Sequence, residues 1–131
     1  MIVLQIAVIA LTMVALDVIW LVGRATVSRT LIAKIQGSPL EIQWLPAALC
    51  YIVMIAGLWF FAVRGVADVA EAAMKGAALG AVVYGTYDLT SWATLKNYTP
   101  VYAMADWLWG TTLFAATAAT ATAAATAATL R

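Results

Sequence analysis

The chain contains no histidine and only one cysteine, Cys50, in 131 residues. Without histidine it cannot bind haem or chlorophyll through an imidazole, and a single thiol can form neither an internal disulfide nor a Cys/His zinc site. A metal held by carboxylates alone is still compatible with the composition, since hard cations prefer oxygen ligands. Because polar groups inside a membrane usually pair with one another, we predict no cofactor and no metal site. We interpret Cys50 as a packed small hydrophobic residue.

Charged residues are also scarce. Lysine and arginine number 7 and aspartate and glutamate 6, so that 10% of the chain is charged and the net charge is +1. No basic run is present, and we expect no nucleic-acid partner. Hydrophobic residues make up 66% of the chain, and the mean hydropathy of +0.98 exceeds that of ordinary soluble domains. The composition therefore predicts an integral membrane protein whose partner is the lipid bilayer.

Apolar runs at residues 2–22, 45–63, 72–92 and 101–123 or longer occupy most of the chain. Each is near the roughly 20 residues that a membrane-spanning helix needs. We predict an all-α fold, a polytopic bundle of four transmembrane helices forming a single domain over residues 1–131. The first run exceeds the core of a signal peptide, and we expect it to be retained. After it, Val27, Leu31 and Ile35 recur every four residues, which predicts a continuation of the first helix along the membrane interface.

Small residues indicate where helices approach closely. Gly76 and Gly80 have the Gly-x-x-x-Gly spacing, and Ala115, Ala119 and Ala123 form a ridge in a tail rich in alanine and threonine. We expect this tail to be helical because alanine is the best helix former. Such faces serve packing within one chain, a homo-oligomer or a contact with another membrane protein. We favour packing within the chain over the other two.

The positions of the basic residues predict an orientation. Arg24, Arg29, Lys34 and Lys96 fall on the side of the first and third loops, and Arg64, Lys75 and Arg131 on the other. Because cytoplasmic loops are enriched in lysine and arginine, we expect the first and third loops in the cytoplasm and both termini outside. The membrane we expect is a bacterial inner membrane.

Aspartates interrupt the apolar runs at three points of similar depth. Asp17, Asp88 and Asp106 each lie about 6–8 Å inside the face of the first and third loops, at 1.5 Å per residue. Carboxylates in spanning helices usually face the bundle interior and pair with donors. With the aromatic and polar residues that share their depth or helix face, they predict a polar-aromatic pocket. Its candidate residues are Asp17, Trp20, Arg24, Tyr84, Tyr87, Asp88, Thr90, Trp92, Thr94, Lys96, Asn97, Asp106 and Trp109.

Three roles are open for these residues: a hydrogen-bonded network that fixes helix register, a pocket for a small molecule or lipid headgroup, and proton relay or catalysis. The sequence has no nucleophile paired with a base and no phosphate-binding glycine loop, so an enzyme is the less expected class. Our first functional hypothesis is an accessory or assembly subunit of a membrane complex that acts through helix packing. The alternative is binding or transport of a small amphiphile, lipid or cation at the three-aspartate pocket.

Three segments carry a resemblance to a known family: LDVIWL at residues 16–21, VYGTYDLTSWATLKNYTP at 83–100 and DWLWG at 106–110. They resemble the bacterial membrane family called domain of unknown function 2177. This chain differs from the family pattern at Gly85, where alanine is usual, and at Ser91, where asparagine is usual, whereas the aspartates and Lys96 match. The resemblance covers nearly the whole chain and implies a four-helix membrane fold. It implies no activity, because the family has none that is agreed.

Overall fold

The computed structural model describes residues 1–130 as an all-helical chain, which confirms the predicted all-α class. The helices are α1 (Ile2–Gly23), α2 (Ala25–Gln36), α3 (Trp44–Leu58), α4 (Val69–Thr94) and α5 (Pro100–Thr129), and a π-helical turn, Trp59–Val63, continues α3. The four long helices overlap the four apolar runs, and α5 includes the alanine and threonine tail. Arg131, which contributed to the predicted orientation, lies outside the described residues.

Local sequence signals account for the ends of the helices. Gly37 ends α2 in the left-handed conformation, with φ of 74°, which glycine adopts without steric cost. Asp68 precedes α4, and its carboxylate accepts hydrogen bonds from two backbone N–H groups of the first turn at 3.2 and 3.4 Å. Thr99 caps α5 in the same way at 3.2 Å, followed by Pro100 in the first turn. These are the cap residues that helix starts prefer.

The predicted continuation of the first helix is instead a separate short helix. The backbone leaves helical geometry at Arg24, where φ is −106° and ψ is 7°, and α2 begins at the next residue. Leu31 of α2 is buried against Tyr98 and Ala103 at the start of α5, whereas Val27 is exposed. The amphipathic pattern thus packs α2 over one end of the bundle.

Helices α4 and α5 pack closely along their length. A Cβ atom at Gly76 would lie 2.5 Å from the carbonyl oxygen of Phe114, and one at Gly80 would lie 2.6 Å from that of Gly110. No side chain fits at such distances, so the two glycines allow the helix backbones to touch. The Gly-x-x-x-Gly face is therefore used within the chain.

The face of α5 that meets these glycines is not the predicted alanine ridge. Gly110, Phe114 and Ala118 are the contacting residues, whereas Ala115 and Ala119 are half-buried and Ala123 is exposed. A helix turns about 100° per residue, so a ridge displaced by one residue points a quarter-turn away. Sequence spacing identified a small-residue stripe but not the stripe that faces α4.

Helices α1 and α3 complete the core from the other side. Ile9 and Met13 of α1 are fully buried with Leu58 of α3 and Phe114 of α5. Far from the three aspartates, the indole Nε1 of Trp59 donates to Oε1 of Gln5 at 3.0 Å. The π-helical turn carries the main contacts of this chain segment with α4 and α5. The first half of α3 consequently lies apart from α4, which leaves space between them.

Among the described residues, two helices are long and apolar enough to cross a membrane. These are Ile2–Gly23 and Trp44–Val63, with mean hydropathies of 2.5 and 2.1. Helices α4 and α5 are less hydrophobic because of their glycines, threonines and aspartates. Large apolar side chains nevertheless project outward from all four long helices, including Leu11, Val53, Val82 and Leu108, which are 65–74% exposed. The number of spans stays a prediction.

Candidate polar-aromatic pocket

Asp17 connects three helices through its carboxylate. The side chain is 7% exposed and lies on α1. The hydroxyl of Tyr51 on α3 donates to Oδ2, and the indole Nε1 of Trp109 on α5 donates to Oδ1 at 3.0 Å. Both carboxylate oxygens therefore have a donor, as a buried carboxylate requires.

Aromatic rings and one guanidinium lie between Asp17 and the α2 end of the bundle. The rings of Trp20 and Trp109 stack with centroids 4.9 Å apart and planes at 4°. The guanidinium of Arg24 lies 4.8 Å from the Trp20 ring and 4.9 Å from the Tyr102 ring, within the range of cation–π attraction. The Tyr102 hydroxyl is 2.9 Å from the Ser28 hydroxyl. Arg24 is thus held by two ring faces.

Asp88 is fully buried on α4. The hydroxyl of Tyr98 donates to its Oδ1 at 2.8 Å, whereas Oδ2 has no donor among the described residues. The carboxyl group of Asp106 lies within hydrogen-bonding range of Asp88. A hydrogen bond between two carboxyl groups needs a proton on one of them. Burial, and then the bond to Asp88, raises the pKa of the Tyr98 hydroxyl above its usual value, so Tyr98 stays protonated as a donor.

A cavity of about 490 Å³ opens beside these residues, between α1, α3, α4 and α5. It occupies the space left where the first half of α3 lies apart from α4. Two carboxylates, five aromatic rings and several apolar side chains form its wall: Asp17, Trp20, Leu21, Ala47, Cys50, Tyr51, Met54, Val83, Tyr84, Tyr87, Tyr102 and Asp106. We refer to it below as the aspartate cavity.

Several wall residues of the aspartate cavity are also exposed on the outside of the bundle. Leu21 is 52% and Tyr87 61% exposed, so the cavity reaches the outer surface between helices. Cys50 is exposed as well. Its interpretation as a packed hydrophobe is therefore wrong, because the gap beside α3 removes the neighbour that would cover it.

A second, shallower groove of about 630 Å³ lies outside the bundle between α2 and the loop before α5. Thr26, Thr30, Lys34, Asn97 and Thr99 are among its lining residues, and all five are exposed. The side-chain amide of Asn97 crosses the groove to the Lys34 carbonyl oxygen at 3.3 Å. None of the three aspartates lines it.

The structure brings together eight of the thirteen predicted pocket residues: Asp17, Trp20, Arg24, Tyr84, Tyr87, Asp88, Asp106 and Trp109. Thr90, Trp92, Thr94, Lys96 and Asn97 are exposed and lie outside the aspartate cavity. The Thr94 hydroxyl donates instead to the Thr90 carbonyl at 2.8 Å. Thr90 follows Asp88 by two residues, about 200° around the helix, and so points away from it. Lys96 and Asn97 lie beyond the end of α4.

Two of the three donors to the aspartates, Tyr51 and Tyr98, are residues that the sequence analysis did not select, whereas it did select the third, Trp109. Tyr51 is the seventh residue after Trp44, where α3 begins, and so lies at nearly the depth of Asp17. Extending the depth argument from charged residues to tyrosines would have found it. Tyr98 is in a loop, where helical periodicity carries no information. Among the described residues no group of three or more acidic, cysteine or histidine side chains could hold a metal ion, and the absence of a cofactor stays a prediction.

Residues 2–124 match the family model described as "Predicted membrane protein (DUF2177)". The chain belongs to the DUF2177 family. No curated protein and no solved structure matches it. In this DUF2177 protein, residues 83–100 and 106–110 form the end of α4, the following turn and part of the start of α5. They supply Asp88, Tyr98 and Asp106 to the polar cluster.

Gly85 allows a close approach between α4 and an indole of α5. A Cβ atom at Gly85 would lie 2.8 Å from Nε1 of Trp107. That Nε1 donates to the carbonyl oxygen of Ala81 at 2.9 Å. Glycine at this position lets the indole lie directly on α4 and reach a backbone acceptor.

Proposed function

We propose that this protein binds a small amphiphile in the aspartate cavity, for sequestration or transport within the membrane. The observation that carries the proposal is a cavity that joins four helices, contains the carboxyl groups of Asp17 and Asp106, and reaches the outer apolar surface. Ligand sites are usually concave and largely apolar, with a few polar groups that fix orientation. Aspartates in a membrane bundle are costly, and typically mark such sites.

The packing of α4 on α5 weakens the competing hypothesis of an assembly subunit. Gly76 and Gly80 belong to the small-residue faces through which a second membrane protein was expected to dock, and both are buried against α5. What still favours assembly is the exposed small-residue surface at Ala123 and along the last turns of α5. We retain it as the second candidate function, with a membrane protein or another copy of this chain as partner.

Replacing Asp106 by asparagine tests the proposal. Asp106→Asn removes a carboxylate from the cavity wall with little change of shape, and we expect the bound amphiphile to be lost while the protein stays folded. The matched control is Asp68→Asn, the same chemical change at an exposed helix cap where asparagine caps equally well. The measurement is mass spectrometry of small molecules that copurify with each protein in mild detergent.

An amphiphile enriched equally in both variants, or in neither, would count against the cavity as a binding site. The same purification reports on the second candidate. A stoichiometric membrane protein that copurifies with both variants alike would support an assembly role and make the aspartates internal structure.

We also propose that α4 and α5 cross the bilayer beside α1 and α3, with the first and third loops in the cytoplasm of a bacterial inner membrane. At 1.5 Å per residue, the 26 residues of α4 and the 30 of α5 reach about 39 and 45 Å, more than the ~30 Å hydrocarbon layer. Their exposed residues Val82 and Leu108 suit contact with lipid. Cysteine accessibility from each side of the membrane tests this topology.

A further inference from the structure

We infer that the ligand of the aspartate cavity is a hydrophobic monovalent cation, such as a lipophilic amine or quaternary onium ion. This inference rests on the proposed function and adds the chemical class of the ligand. The charge of the surrounding carboxyl groups and the aromatic rings of the cavity wall both lead to it.

The balance of charge around the cavity is negative. Three carboxyl groups, those of Asp17, Asp88 and Asp106, face a single guanidinium, that of Arg24. Even with one proton shared between the neighbouring carboxyl groups of Asp88 and Asp106, the three carboxyl groups carry two negative charges against the one positive charge of Arg24. One further positive charge makes the cluster neutral, which a low-dielectric site strongly favours.

The aromatic composition of the wall suits a cation more than an anion. Trp20, Tyr84, Tyr87 and Tyr102 line the cavity together with Asp106. The faces of aromatic rings attract cations, and quaternary ammonium ligands are recognised by cages of several aromatic rings. An anion would meet these faces unfavourably, and the one guanidinium nearby already lies against the rings of Trp20 and Tyr102.

Asp88 adds a buried acceptor to this negative balance. It is 0% exposed, and the Tyr98 hydroxyl that donates to its Oδ1 does not serve its Oδ2. A proton on the neighbouring carboxyl group of Asp106 can be donated to this oxygen, and the pair then still carries one negative charge beside the cavity that Asp106 lines. A positively charged ligand beside Asp106 would balance this charge.

The rest of the wall defines the apolar part of the ligand. Leu21, Met54 and Val83 line the cavity, and Leu21 is also exposed on the outer face of the bundle. A ligand with hydrophobic substituents around its charge can thus enter from the bilayer rather than from water. A small hydrated ion such as Na⁺ would leave this apolar surface without a partner.

Two probes of nearly the same shape and opposite charge test the inference. Tetraphenylphosphonium is the cation and tetraphenylborate the anion, each titrated into the full chain in phosphatidylcholine nanodiscs, with empty nanodiscs subtracted. The readout is saturable quenching of tryptophan fluorescence, since Trp20 lines the cavity. We expect saturable binding of tetraphenylphosphonium only, weakened about tenfold or more in Asp106→Asn and unchanged in Asp68→Asn.

A second variant keeps the test decisive if Asp106→Asn does not fold. Tyr87 is largely exposed yet lines the cavity, so Tyr87→Leu leaves the core intact and removes one ring face. We expect it to weaken tetraphenylphosphonium binding about two- to fivefold.

The outcomes separate this inference from the proposed function. Asp106-dependent binding of tetraphenylborate, without binding of tetraphenylphosphonium, would overturn the inference. The cavity would then be an amphiphile pocket that prefers hydrophobic anions. Absence of saturable binding of both probes would also overturn it, while the copurified amphiphile and its dependence on Asp106 decide the proposed function separately.

Discussion

At the scale of single residues, the three aspartates differ in how many of their carboxylate oxygens accept a hydrogen bond from the protein. Asp17 has a donor on each oxygen, from Tyr51 and Trp109. Asp88 has a donor on one oxygen only, and Asp106 faces both Asp88 and the cavity. We interpret Asp17 as the structural member of the set because its hydrogen bonds tie α1 to α3 and α5. Asp106 is the member free to meet a ligand.

The structural role of Asp17 predicts a loss of stability in Tyr51→Phe. Removing the hydroxyl leaves one oxygen of a buried carboxylate without its donor, and we expect the free energy of unfolding to fall by about 1–3 kcal/mol. The control is Tyr84→Phe, whose hydroxyl makes no hydrogen bond among the described residues. Thermal unfolding in detergent compares the two. Equal stability of both variants would show that the Tyr51 hydrogen bond contributes nothing.

At the scale of helices, α4 and α5 form the most closely packed pair of the bundle, and the position of α3 creates the cavity. Glycines on α4 let two backbones touch, so the packing cannot adjust around an added methyl group. By contrast, α3 meets these helices mainly through its π-helical end. Close packing at one end and separation at the other produce a cavity at the level of the aspartates.

The close contact predicts that Gly80→Ala destabilises the hairpin. Its Cβ would lie 2.6 Å from a backbone oxygen of α5, which can move only with the helix, and we expect a cost of about 1–3 kcal/mol from overpacking. Gly57→Ala is the matched control because nothing lies within 4 Å of a Cβ there. It should be neutral or stabilising by up to about 1 kcal/mol, the difference in helix propensity. Denaturant titration followed by circular dichroism measures both, and a harmless Gly80→Ala would contradict the packing.

At the scale of the whole molecule, the outer surface and the position of the cavity are consistent with a bundle surrounded by lipid. The polar groups of the cluster lie inside, whereas residues such as Val53, Val82 and Leu108 project outward. Membership of a family of predicted membrane proteins agrees with this arrangement. The cavity lies toward the end of the bundle that carries α2, near the membrane face that we propose to be cytoplasmic.

Four spans predict a definite pattern of cysteine labelling. In a Cys50→Ser background, Ser38→Cys and Lys96→Cys should react with a membrane-impermeant maleimide in inside-out vesicles and not in intact spheroplasts. Ala67→Cys, in the loop between α3 and α4, should do the reverse, since hydrocarbon separates the two faces. Labelling of Ala67→Cys and Lys96→Cys from the same side would mean that α4 does not cross. A reversed but alternating pattern would contradict only the orientation.

The sequence alone determined those properties that depend on short segments of chain. Hydropathy and run length predicted the all-α class, and Asp68, Thr99 and Pro100 determined where helices begin, because capping involves only neighbouring residues. The depth of Asp17, Asp88 and Asp106 followed from counting along each helix. The resemblance to DUF2177 likewise depends on contiguous segments of the chain.

Only the tertiary structure decided which groups meet. Periodicity describes the faces of one helix, but the rotation of that helix toward its neighbours depends on packing across the whole bundle. A difference of one residue therefore replaced Ala115 and Ala119 by Phe114 and Ala118 at the contact. In the same way, the candidate Thr94 lies outside the cluster, and tyrosines of α3 and the loop donate to Asp17 and Asp88. The cavity itself arises from the separation of α3 and α4, a relation between distant segments that no local pattern contains.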